Sequence, residues 1–242
     1  MRGGRGIICA VKVEKILRVS LQGVSRPFVC ADEAGVVRWC KGNHTGLRAC
    51  ICEWLCGRFA AALGLPVPAC DILRLDRRTF EDWCAVQPLP IPEIVTAANQ
   101  YVFASTNVEE VKDVFDAEKE LAHVDPLMLG RVYMFDRFFG NTDRTDANSN
   151  LLVNGSAYII DHNNAFDPEF DEGTFAAEHI LRRHYAAMSA EARDGFERAI
   201  RATVTREAVA ARWSELPAEW TDPLEDVFTQ ESVTDYLFRR RA

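Results

Sequence analysis

The stretch that most constrains this chain is "GNTDRTDANSNLLVNGSAYIIDH", Gly140 to His162. A run dense in Asp and Asn is set directly against two short apolar runs, with an aspartate at each end. "NLLV-NG-SAYIID" reads as a strand, an Asn-Gly turn and a strand, since the Asn154-Gly155 pair suits a type I′ hairpin turn. Folding the hairpin back brings Asp161 to the stretch 148–150. Side chains alternate along a strand, so Asn148 and Asn150 share a face. One carboxylate and one or two amide oxygens then meet at one end of the hairpin, with Asp143 just ahead on the loop. Oxygen ligands of this kind suit Mg²⁺, and a further carboxylate can orient or deprotonate a hydroxyl. Taken alone, the same residues also suit a polar turn whose Asp and Asn side chains cap backbone groups.

The rest of the chain reads as a β-rich part followed by a helical part. "KILRVSL" alternates as a strand, and "RPFVCADEAGVVRWCK" reads as two strands joined at Asp32–Gly35. "GLRACICEWLCGRFAAALGL" reads as a helix stopped at Gly64, and "PVPACDILRLD" as a strand. "QPLPIPEIV" reads as a connection, with a hinge near "YVFAST". Beyond it, "NVEEVKDVFDAEKEL", "PLMLGRVYMFDRFFG", "AEHILRRHYAAM", "AEARDGFERAIRATV", "REAVAARWSEL" and "DVFTQESVTDYLFRRR" read as helices, with "LPAEW" a loop. We expect an α+β fold of two lobes, 1–104 and 105–242.

Composition excludes some classes. A net charge of -8 disfavours bulk attraction to nucleic acid or anionic membranes. No run of 18 apolar residues occurs, and the first residues lack a secretory pattern, so we expect a cytoplasmic protein. The eight cysteines all fall by Cys84, without C-x-x-C pairs, and read as buried free thiols.

An Asp, an Asn opening a strand, a hairpin and a second Asp resemble the protein-kinase plan, with Asp143 and Asp161 18 residues apart. More closely, "FDRFFGNTDRTDANSNLLV…YIIDHNNAF" resembles the HipA-like kinases and, distantly, type II phosphatidylinositol kinases. "GVSRPFVCADEAGVVRWCKGN" and "EWLCGRFAAALGLPVP" resemble the N-lobe of the same family. The resemblance implies a bilobal protein-kinase-like fold using ATP and Mg²⁺. It makes Asp143 the catalytic aspartate, Asp161 a metal ligand, and Asn150, with Asn148 as runner-up, the metal-binding Asn. It assigns Glu53 to a phosphate-binding lysine and places Asp136 and Asn141 as braces of the catalytic loop.

Two departures stand out. Arg38 occupies the position where the resemblance implies a lysine, so either Arg38 takes the phosphate-holding role, braced by Glu53, or Lys41 does. Lys41, one of only five lysines, lies three residues on, and so reaches the site only through a bulge if Arg38 faces it. The glycine-rich loop is absent. Its nearest equivalent is Gly23 to Arg26, where backbone amides, Ser25 and Arg26 would cover phosphates. The resemblance also implies a Ser/Thr hydroxyl of a protein as acceptor, in a toxin–antitoxin-like setting. A second reading, motivated by Arg38, is a pseudokinase or nucleotide-binding scaffold acting through a protein partner. A third is a lipid kinase, against which the acidic charge argues.

Overall fold

The structure is a computed structural model that describes residues 11–20, 26–86, 100–109, 112–114 and 117–239. Five antiparallel strands form the first sheet: β1 (Val13–Val19), β2 (Phe28–Asp32), β3 (Val37–Lys41), β4 (Cys70–Leu75) and β5 (Gln100–Thr106), in the order β1-β2-β3-β5-β4. The β2–β3 turn forms as its sequence suggests. Asp32 Oδ1 accepts hydrogen bonds from the peptide nitrogens of Ala34 and Val36, and Gly35 takes the left-handed conformation at φ 78°.

The sheet buries both faces, and alternation along its strands sorts them. Val102, Ala104, Leu73 and Leu75 join Phe28, Cys30 and Cys40 on the outer face. Phe80 and Trp83 cover that face from α2 (Arg77–Cys84), a helix the sequence reading missed. Phe103 and Ile72 face inward, toward α1 (Leu47–Ala62). That helix is buried from Cys50 to Gly57 without interruption, because the sheet lies on one side and the helical half on the other. Its run continues to Phe59 and Ala60, and Gly64, at φ 71°, follows its end.

The second part begins with β6 (Lys112–Asp113) and α3 (Ala117–Glu120). Here the structure differs from the single helix expected over 107–121. The backbone of Lys112–Val114 instead pairs with the strand β7 (Leu151–Val153), whose edge would otherwise lack a partner. The helix α4 (Pro126–Phe139) starts at Asp125, whose side chain accepts from Leu127 N, and ends at Gly140 in the left-handed conformation. A Cβ at Gly140 would collide with the Tyr236 hydroxyl.

β7 and β8 (Ala157–Ile159) form the expected hairpin, but through a three-residue loop rather than a type I′ turn. Only Gly155 has positive φ, and the Asn154 side chain donates to the Glu109 carbonyl instead. The helices α5 (Glu172–Glu178), α6 (Arg182–Ala187), α7 (Ala190–Thr203), α8 (Arg206–Ser214), α9 (Ala218–Thr221) and α10 (Gln230–Arg239) follow. The helix expected over 177–188 is broken at His179, whose ring is drawn into a buried network described below. The expected "LPAEW" loop contains α9. The expected division at 104/105 falls inside β5, and "QPLPIPEIV" lies outside the described residues.

Candidate active site

Lys41 is the residue on which the cleft is organised. β3 runs in regular register with β2 and β5, without a bulge, so Lys41 and Trp39 face inward while Arg38 faces away. Lys41 Nζ lies 2.5 Å from Glu53 Oε1 and 2.8 Å from Asp161 Oδ1. Burial opposes the lysine's charge, but Glu53 and Asp161 outweigh it and hold the group above its ordinary value. For Glu53, burial would raise the carboxyl. Lys41 and His162 outweigh it and keep Glu53 well below the usual carboxylate range.

Arg38 therefore does not pair with Glu53. It bonds Asp32 Oδ2 at 3.1 Å, Asp71 Oδ2 at 3.1 Å and Thr106 Oγ1 at 2.6 Å. The expected contact fails for a simple reason. Three residues is an odd step, and an odd step along a regular strand reverses the side chain's direction.

Glu53 has a second task. Its Oε2 accepts the His162 peptide N–H at 3.0 Å, which fixes the residue next to Asp161. From the same helix, Arg48 donates to the carbonyls of Asn163, Ala165 and Phe166. Helix α1 thus holds the backbone that carries Asp161. Burial pushes the Asp161 carboxyl above its ordinary value; Lys41 partly offsets this, while Glu53 and Asp143 add to it.

On the opposing strand end, Asn150 Nδ2 donates to the Asp143 carbonyl at 3.0 Å and to Asp143 Oδ2 at 3.2 Å. Ile160 N donates to the Asn150 carbonyl, so the hairpin brings the Asn150 and Asp161 ends together. Asn148 lines the same cavity, but it is exposed and sits in a turn closed by Thr145. Asn150 and Asp161 both have left-handed backbone, φ 47° and 56°, as does Phe166 at 59°. Such conformations cost about 1–3 kcal/mol each and are kept where surrounding structure enforces them.

The enforcing structure is a buried network that sequence reasoning only half foresaw. Asp136 and Asn141 were expected to brace the loop. They do bond each other, Asn141 Nδ2 to Asp136 Oδ1 at 2.9 Å. The central cation, however, is Arg144, fully buried, with Nε 2.7 Å from Asp136 Oδ2. Its Nη1 donates to the carbonyls of Asn150 and Ile160, gripping both strand ends. His179 completes the network, with Nε2 3.1 Å from Asp136 Oδ2 and Nδ1 accepting from Leu181 N. The sequence signal for Arg144 was its place next to Asp143; for His179, just past the end of α5, there was none.

The cleft encloses a cavity of about 670 Å³. Asp161 Oδ2 and Asn150 Oδ1 accept no hydrogen bond among the described residues, so two oxygens remain available to a cation. This oxygen-only donor set fits Mg²⁺, which takes one or two carboxylates and completes its shell from substrate and water. No cluster of three or more His, Cys, Asp or Glu that could hold a metal occurs among the described residues. Of the expected phosphate-loop residues, Ser25 lies outside the described residues and Arg26 is exposed. The described cysteines are free, and Cys30, Cys40, Cys50, Cys52 and Cys56 are buried; burial pushes Cys52 up to about 12.

A search of curated proteins finds no match. Among solved structures, a proinflammatory kinase of Helicobacter pylori, CtkA, superposes with a TM-score of 0.50, covering 96% of this chain and 92% of that one. At 9% identity the likeness is one of fold, and it is a kinase fold. The profile of the HipA-like kinase family matches residues 13–239, and no described helix is long and apolar enough to cross a membrane. With nearly its whole length matched, the chain belongs to the HipA-like kinase family.

Proposed function

We propose that this chain transfers the γ-phosphoryl group of ATP, with Mg²⁺, to a Ser/Thr hydroxyl of a protein. The observation that supports this most is the convergence of Lys41, Glu53 and Asp161 on one side of the cleft with Asn150 and Asp143 on the other. In this reading residues up to about Thr106 form the nucleotide-side lobe and the remainder the helical lobe.

Lys41, kept charged by its two carboxylates, binds nucleotide phosphate. Asp161 and Asn150 would hold Mg²⁺, which neutralises phosphate charge. Asp143 orients the acceptor hydroxyl and takes its proton as the new oxygen–phosphorus bond forms and the β–γ bridging bond breaks, leaving ADP. Little covalent chemistry falls to the protein, so positioning and charge stabilisation supply most of the rate. Lys41 in the Glu53 pair favours transfer over a binding-only scaffold, because the reason for the scaffold was Arg38.

The test combines calorimetric titration of ATP with a radiolabel transfer assay and phosphoamino-acid analysis. Asp161→Asn should abolish Mg²⁺-dependent nucleotide binding. Asp143→Asn should keep binding and lower transfer by about 10²-fold or more. If both variants bind and react like wild type, the kinase assignment of these residues is wrong.

A further inference from the structure

The cleft has a second cation that no kinase motif predicts. Strand β1 is irregular. Ile16 pairs with Cys30 and Arg18 with Val29, so a bulge falls between Ile16 and Arg18. In a regular strand, residues two apart face the same side. Arg18 would then join Ile16 in the core under α2. The bulge at Leu17 reverses that, and Leu17 is left exposed. Bulges beside functional sites commonly re-aim a side chain in this way.

Re-aimed, Arg18 lines the nucleotide cleft. The pairings Arg18–Val29 and Val29–Trp39 form one row across three strands on the cleft face. The guanidinium lies 5.1 Å from the Trp39 ring centroid. Trp39 is itself fixed, its Nε1 donating to Asn107 Oδ1 at 2.8 Å. An indole face holds a guanidinium in place without using its hydrogen-bond donors. Arg18 makes no hydrogen bond or ion pair among the described residues, so its fork of donors stays available.

Charge balance says what those donors meet. Apart from the Cys70 thiol and the His162 ring, the ionisable side chains lining the cavity among the described residues are Arg18, Lys41, Glu53, Asp146 and Asp161. Lys41 is already committed to Glu53 and Asp161, leaving Arg18 as the uncommitted cation there among the described residues. Lys41 lies two residues beyond Trp39 on the same face, about 7 Å along the strand. Arg18 and Lys41 thus line the same cavity from β1 and β3.

We propose that Arg18, turned inward by the β1 bulge and held over Trp39, is a phosphate-binding residue that serves where a glycine-rich loop would otherwise cover the nucleotide. Arg18 grips the polyphosphate from the roof, opposite Asp161. The inference rests on the cleft being a nucleotide site.

The test is competition calorimetry with Mg-ATP, Mg-ADP and adenosine on wild type, Arg18→Ala and Arg18→Lys, each checked for folding by thermal melting. Arg18→Ala should weaken ATP and ADP by about 10-fold or more and adenosine by less than about 2-fold. Arg18→Lys, which keeps the charge, should recover part of the loss. Unchanged ATP affinity in Arg18→Ala, with wild type binding, would overturn the inference alone. Equal loss for adenosine and ATP would overturn it too, since Arg18 would then hold the base. Absence of ATP binding by wild type would overturn the nucleotide reading itself, and this inference with it.

Discussion

Arg144 and Asp136 form a fully buried ion pair that does not line the cavity yet fixes both strand ends of the site. Breaking a buried pair from one side leaves an uncompensated charge, which costs about 3–5 kcal/mol. Arg144→Met should therefore lower the unfolding free energy by that amount in urea titration, far more than a change at exposed Arg78. His179, in the same network, predicts a pH dependence. Burial, only partly offset by Asp136, holds its ring below the usual histidine value, so it stays neutral in the folded protein. Protonating Nδ1 would also remove the acceptor for Leu181 N. The folded value is depressed, so the stability is present above about pH 6.5 and is lost as pH falls, when the unfolded chain takes up the proton. His179→Gln should flatten the fall in stability below about pH 6.5, by up to about 1.4 kcal/mol per pH unit. Asp136, held well below the carboxylate range, adds a further loss only at stronger acid, below about pH 4.

At the scale of elements, α4 is the platform of the loop from Asn141 to Asn150. It carries Asp136 on its buried face and delivers the chain to Asp143 through the left-handed Gly140. It can sit close to α6 because Gly130 offers no side chain at the crossing. A Cβ there would overlap Met188 Sδ and come within 3.3 Å of the His184 carbonyl. Methionine can yield, but a helix backbone yields less. Gly130→Ala should therefore cost about 1–3 kcal/mol despite alanine's better helix propensity, read as a lower denaturant midpoint with an unchanged slope. Helix α1 shows how much of an element periodicity reveals. Its existence and its end near Gly64 were legible because the run is long and apolar. That Glu53 would reach both Lys41 and the backbone beside Asp161 was not, because those partners are 12 and 109 residues away in sequence.

For the molecule as a whole, the cleft lies between the five-stranded sheet and the hairpin end of the helical half. The halves are joined through α1 and through Trp220, whose Nε1 donates to the Tyr101 carbonyl. A ligand bridging Lys41 and Asp161 should stabilise the whole fold by mass action. At 100 times its dissociation constant, Mg-ATP would add about 2.7 kcal/mol, or roughly 5–10 °C in Tm for a domain this size. Thermal melts with Mg-ATP should show that rise, and melts with ATP and EDTA should show little of it. The sequence alone determined the α+β order, the hairpin that gathers Asp143, Asn150 and Asp161, and the kinase resemblance. These rest on local signals: turn residues, alternation and a compact motif. Only the tertiary structure decided that Lys41 and not Arg38 meets Glu53, that Lys112–Asp113 form a strand, and that Arg144 and His179 lock the loop. Each depends on strand register or on a partner far along the chain, and a one-residue shift in register turns a side chain to the other face of the sheet.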